Sequence, residues 1–340
     1  MRFRLSIKQW LFLIVGGSLG ISSLIGKIEY DQKQMFYNNG LQAYEMANCN
    51  LAVSELGTFL AKTSADEMDD QVVQAKAIQT ECSFLKATET QRNANHPALS
   101  LVGNLQFIQR YPKSPLAQPL QQDISNLFAH NAIPLLAQVP SCEKLEVITQ
   151  HNLMSQSNQP TFYQACGQAF ERSGQYPLAI QQYEQFLDQF PNHQLTEDVK
   201  QAYAQALYKE AQAKGAGTIP PPIQQGSTGD GTTVVEIRND SPEKLRNVFG
   251  GPTPRVEELE PCPDCKRIYE SPPKECPNQG PVGRYTVNPG QYRVVVKSIS
   301  DSIVVPYTGD WPLAANTRYN NCFYIVRRNP VPEAIPSPSP

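Results

Sequence analysis

Between Pro160 and Pro191 the apolar residues recur with a helical period, break at a glycine turn and then resume. Tyr163, Cys166, Gly167 and Phe170 fall on one face of a 3.6-residue helix. Ser173-Gly174-Gln175 makes the turn, and Pro177 stands near the start of a second helix, where a missing N–H costs no intrahelical bond. Ala179, Ile180, Tyr183, Phe186 and Leu187 continue the stripe until Pro191 ends it. Two helices joined this way form an antiparallel hairpin. A lone hairpin cannot bury its own apolar face, so this segment constrains the chain to supply neighbours of the same kind.

The order of residue types resembles the tetratricopeptide repeat (TPR), in register at Tyr163, Cys166-Gly167, Phe170, Gly174, Tyr176, Ala179, Tyr183 and Pro191. Phe186 departs from it, since that family usually has Ala there. The match is strong over residues 160–193. It implies an all-α repeat array in which the first helix of each hairpin lines a concave groove. Thr161, Gln164, Gln168 and Glu171, one step off the packing stripe, would face that groove and meet a protein or extended peptide partner. Tyr163, Gly167, Phe170, Gly174, Ala179, Tyr183 and Pro191 would pack the hairpin.

Weaker echoes extend the helical region over residues 30–214. Gly40, Tyr44, Cys49 and Ala52 repeat the step from Gly167 to Ala179, which predicts a first hairpin before Ser64. Phe107 to Pro112 reads like Phe186 to Pro191, so another second helix ends there. Residues 113–155 are expected to add a divergent pair, and Val199, Tyr203, Ala206 and Leu207 mark a closing helix.

Residues 215–231, with Pro220-Pro221-Pro222 and Gly226-Ser227-Thr228-Gly229, have the composition of a linker. Beyond it the period becomes alternating. The runs 233–238, 283–287, 291–296 and 322–326 are β-branched or aromatic, and Asn288-Pro289-Gly290 is expected to join two of them as a hairpin. Short strands between Pro and Gly turns predict an antiparallel all-β sandwich over residues 232–329. Pro330 to Pro340 reads as a disordered tail.

At the other end, Arg2, Arg4 and Lys8 precede an uncharged apolar run from Trp10 to Gly26. Its length lies where signal peptides and spanning helices overlap. No Ala-x-Ala triplet follows it, which favours an uncleaved transmembrane anchor over residues 9–26. The bases on its N-terminal side put residues 1–8 in the cytoplasm and the bulk of the chain in the periplasm or a lumen. The order of anchor, repeats and sandwich is similar to that of cyanobacterial envelope proteins without a settled activity, and it carries over no functional residue.

That compartment governs how the eight cysteines are read. Cys49, Cys82, Cys142 and Cys166 lie in the helical region; Cys262, Cys265, Cys276 and Cys322 lie in the sandwich. Even numbers in an exported chain point to disulfides. Cys49 with Cys82 and Cys142 with Cys166 are the favoured helical pairs, because each would staple adjacent helices. Cys262-Pro263-Asp264-Cys265 followed by Cys276 and Cys322 keeps three readings open: structural disulfides, a four-thiolate zinc site, or a redox pair.

The net charge of −3, with acids and bases interspersed, offers no clustered positive field for nucleic acid. His96, His130, His151 and His193 have no metal-ligand spacing, and Asp69-Asp70 and Glu257-Glu258 are adjacent carboxylates that point apart. No nucleophile elbow, zinc-protease or phosphate-loop pattern is present. The expectation is therefore a non-catalytic, cofactor-free scaffold, anchored in a membrane, that holds a protein or extended peptide through a TPR-like groove. The alternative is a thiol-redox or zinc-dependent envelope protein using Cys262, Cys265, Cys276 and Cys322.

Overall fold

The computed structural model describes residues 27–63, 69–93, 96–299 and 304–327. The expected anchor over residues 9–26 and the expected tail over residues 330–340 lie outside them. Among the described residues no helix is long and apolar enough to cross a membrane. Helices fill the N-terminal part and two sheets follow, in two compact units that meet in sequence at Asn158 and Gln159.

The first unit begins with α1 (residues 27–45), α2 (Cys49–Ala61), α3 (Asp70–Asn93), α4 (Pro97–Arg110) and α5 (Ala117–His130). α1 and α3 are joined by a ladder of side-chain hydrogen bonds. Gln34 and Gln71 exchange amide bonds at 3.0 and 3.2 Å, Tyr37 donates to Gln74 at 2.6 Å, and Tyr44 donates to Glu81. Each pair is 37 residues apart, so the first helices of two successive hairpins lie in register. Burial and the Glu81 carboxylate push the Tyr44 hydroxyl up to about 12. α1 and α2 make the hairpin expected before Ser64. The pair expected over 113–155 is instead α5 followed by the short α6 (Ile133–Leu136), α7 (Val139–Cys142) and α8 (Leu145–Gln150). Pro134 and Pro140 each sit in a first turn and restart the chain before a full helix can form.

The second unit opens with the expected hairpin, α9 (Gln159–Arg172) and α10 (Tyr176–Gln189), followed by α11 (Thr196–Ala213). Gly174 takes the left-handed turn at φ +74°. The turn from α4 to α5 is built the same way as that from α10 to α11. Tyr111 and Phe190 cap the first helices at φ/ψ −128°/58° and −129°/50°. Their N–H groups donate to Phe107 and Phe186 carbonyls at 2.8 Å. Ser114 Oγ then accepts from Leu116 N, and His193 Nδ1 from Leu195 N, both at 3.2 Å. The echo between Phe107–Pro112 and Phe186–Pro191 therefore reports one local structure used twice.

Among the described residues nine strands follow. β1 (Gly217–Thr218), β8 (Tyr307–Leu313), β7 (Gly290–Ser298), β4 (Leu245–Gly250) and β5 (Arg255–Leu259) form one sheet in that order. β2 (Ile223–Ser227), β9 (Thr317–Phe323), β3 (Thr233–Asn239) and β6 (Val282–Val287) form the other. Between them lies a core of Val235, Ile237, Phe249, Tyr285, Val294 and Trp311.

Three expectations are corrected. The sheets are mixed, because β1 runs parallel to β8 and β9 parallel to β3; β9 arrives from β8 in the opposite sheet and so enters alongside β3 in the same direction. Asn288-Pro289-Gly290 is not a hairpin but the crossing from β6 in one sheet to β7 in the other. The run 322–326 belongs to β9 only through Phe323 and then touches Tyr269 at Val326.

The linker reading of 215–231 is also corrected, since that segment carries β1 and β2. The unit boundary lies earlier because α11 packs on the five-stranded sheet as well as on α10. A methyl added at Gly250 would lie 2.9 Å from the Ala204 side chain. Arg293 donates to Gln205 at 3.3 Å and stacks over Tyr208. Arg246 on β4 pairs with Glu184 of α10 at 2.6 Å, donates to the Tyr203 hydroxyl of α11 at 3.0 Å and pairs with Glu258 at 2.8 Å. Burial, then the Glu184 carboxylate, holds the Tyr203 hydroxyl far above its ordinary value.

Helix approach in the α1–α2 and α9–α10 hairpins depends on one glycine each. A Cβ at Gly40 would lie 2.5 Å from Leu56 Cγ, and one at Gly167 2.2 Å from the Tyr183 ring. Gly57 would meet only the end of Gln79, at 3.4 Å. Urea unfolding is therefore expected to show Gly40→Ala and Gly167→Ala destabilised by about 1–3 kcal/mol, and Gly57→Ala stabilised by about 0.5–1 kcal/mol.

Candidate interaction clefts

A cleft of about 670 Å³ opens in the first unit among α2, α3, α4 and α5. Asn48 caps α2 by accepting from Leu51 N at 3.2 Å, and Cys49 in the first turn is bonded to Cys82 in the middle of α3. That disulfide fixes one wall. Ser100 and Asn104, 1% and 3% exposed, lie on α4 beside Leu101 and Leu105 and give the cleft a polar floor. Asn50, Ser54 and Ser83 line its exposed sides. The sequence signal for this site is the pair of small polar residues at buried positions of an otherwise apolar stripe. That pair lies on α4, away from the α9–α10 hairpin whose residue order carries the expectation of a groove.

On that hairpin the proposed groove residues are unequal. Gln168 is exposed, while Thr161, Gln164 and Glu171 are half-buried. Glu171 accepts the Tyr183 hydroxyl proton at 2.7 Å, so its carboxylate helps hold α10 on α9. Tyr163, Gly167, Phe170, Ala179 and Tyr183 are buried as packing residues, and Pro191 is exposed in the turn after α10.

The second unit carries a long loop between β5 and β6, residues 260–281, without regular structure. Long irregular loops in compact domains need explicit restraints. Here Asn239, Asp240 and Ser241, all buried at the end of β3, supply them. Asp240 accepts backbone N–H bonds from Gln279 and Gly280 at 2.8 Å and from Asn278 at 3.3 Å. The Asn239 amide donates to the Glu243 and Glu260 carbonyls at 2.7 and 2.9 Å, and Ser241 O accepts from Cys262 N. Cys262–Cys265 and Cys276–Cys322 close the loop covalently. Cys142 and Cys166 are also disulfide-bonded, so no cysteine is free. A zinc site would need four thiolates, and these disulfides leave none.

Beside this loop two apolar clefts, of about 470 and 460 Å³, share Val305, Tyr307, Phe323, Tyr324 and Val326. Arg267 and Ile268 of the loop line the first, and Pro272 lines the second.

Two measurements follow. Loop closure makes a disulfide across 46 residues worth about 4 kcal/mol and one across 3 about 2 kcal/mol. Replacing Cys276 and Cys322 together by Ser is therefore expected to lower thermal stability about twice as much as replacing Cys262 and Cys265. Burial, opposed by the Tyr183 hydroxyl bond and Arg172, raises the Glu171 carboxyl above its ordinary 4.5. The stabilisation from its protonated form is complete below the unfolded value and lost as pH rises through the folded one. Denaturant titrations of Glu171→Gln are thus expected to show it gaining on the wild-type chain as pH rises from 4.5 towards neutrality.

Compared with models of protein families the chain matches none, and no curated protein matches it in sequence.

Proposed function

We propose that the protein is a non-catalytic scaffold, anchored outside the cytoplasm by its N-terminal segment, whose TPR-like helical unit holds an extended segment of a partner protein. The observation that carries this reading is the cleft among α2–α5, walled by Cys49–Cys82 and floored by Ser100 and Asn104. Its volume suits several side chains, and the exposed Asn50, Ser54 and Ser83 on its walls suit the backbone or polar side chains of an extended peptide, which must keep its own hydrogen-bonding groups satisfied. The register of α1 with α3 supports a repeat array, because equivalent helices in such arrays follow one another at a constant step. Full oxidation of eight cysteines supports a compartment outside the reducing cytoplasm.

Phage-displayed random peptides selected against the full chain test this reading. A consensus sequence is expected, and its affinity should fall at least about tenfold, or 1.4 kcal/mol, in Ser54→Trp and Ser83→Trp. Both residues are exposed on the cleft walls, so their circular dichroism and melting should match the wild-type chain. Failure to select a consensus, or peptides indifferent to both substitutions, would overturn it.

A further inference from the structure

The two clefts of the second unit are walled mainly by hydrocarbon: Leu245 and Val296 at the core end, Val305 and Val326 along the middle, and Phe323 and Tyr324 beside them. Several of these side chains are only half-buried, and Ile268 and Tyr307 remain 39% and 41% exposed. A contiguous apolar surface of this kind, recessed and bounded on one side by the disulfide-closed loop, has the character of a ligand site rather than of ordinary exposed surface. Each cleft lies within the usual volume range of small-molecule sites, about 300 to 1,000 Å³.

The chemistry of the walls narrows the occupant. A peptide backbone would bring an N–H and a C=O for every residue into a surface with few groups to meet them. An alkyl chain brings none. At the mouth, Arg267 is exposed on the disulfide-closed loop next to Ile268, and Glu243, the carboxylate lining the same cleft, is already engaged within the protein. An arginine fork at the rim of a hydrocarbon cleft is complementary to a carboxylate on an aliphatic tail. We propose that this end of the sandwich binds an amphipathic carboxylate, its alkyl chain along Val305, Phe323 and Val326 and its head on Arg267. The site is independent of the helical cleft, so either reading can fail alone.

Isothermal titration of the full chain with dodecanoate, octanoate and dodecyltrimethylammonium, all below their micelle concentrations, tests it. Each buried methylene strengthens binding roughly fourfold. One dodecanoate should therefore bind per chain, at least tenfold more tightly than octanoate and than the cationic probe. Arg267→Glu is expected to reverse the preference between the two heads without changing the melting temperature. Val305→Trp, which fills the trough, should abolish binding of both. Three outcomes would overturn the proposal: equal affinity for both head groups, no dependence on chain length, or association with anionic phospholipid vesicles but not with monomeric dodecanoate.

Discussion

The side chain of Arg246 ties four secondary-structure elements together. It stands on β4, pairs with Glu258 on the neighbouring strand, and reaches Glu184 on α10 and Tyr203 on α11. A guanidinium can do this because its donors are fixed in a planar fork. Burial alone would disfavour its charge, but Tyr203 and the carboxylates of Glu258 and Glu184 more than offset that, so the cation is held above its ordinary range. At Lys297 nearby, burial outweighs the attraction of Glu184 and Glu210 and pushes the amine below its ordinary value. The helices of the second unit and its sheet are consequently joined through α11, which buries Tyr203, Ala204, Ala206, Leu207 and Ala211.

A second polar centre organises the other end of the sandwich. Asn239, Asp240 and Ser241 replace the regular ladder where β3 ends, turning a buried strand end into a bracket for the loop that follows β5. Buried polar networks are favourable when their members are satisfied, and each of these three side chains has partners. The loop's two disulfides then need only limit its excursions, because its direction is set by hydrogen bonds. The apolar clefts beside it inherit that rigidity.

How much of this was legible in the sequence depended on whether the determinant was local. The hairpin at 160–193 was readable because its period, glycine turn and stopping proline all lie within one stretch, and the paired turn at Phe107–Pro112 was readable for the same reason. The division at 215–231 was misread. Pro220-Pro221-Pro222 and Gly226 do break the helical pattern, but short edge strands tolerate Pro and Gly, and only their long-range partners on β8 and β9 reveal them. β4 and β8 were missed because Asn247, Gly309, Asp310 and Pro312 interrupt their alternation. The helical cleft was missed because it joins four helices whose spacing no single motif records, and the bond that Tyr183 makes to the Glu171 carboxylate, twelve residues away, was likewise beyond any local signal.

The five-stranded sheet lies on α11, and Ala204 is close enough to Gly250 that not even a methyl group fits between them. That face of α11 is therefore closed to any other helix: a partner could reach Ala204 only by first displacing β4 and β7, so α11 is spent as a contact surface on the side where it meets the sheet.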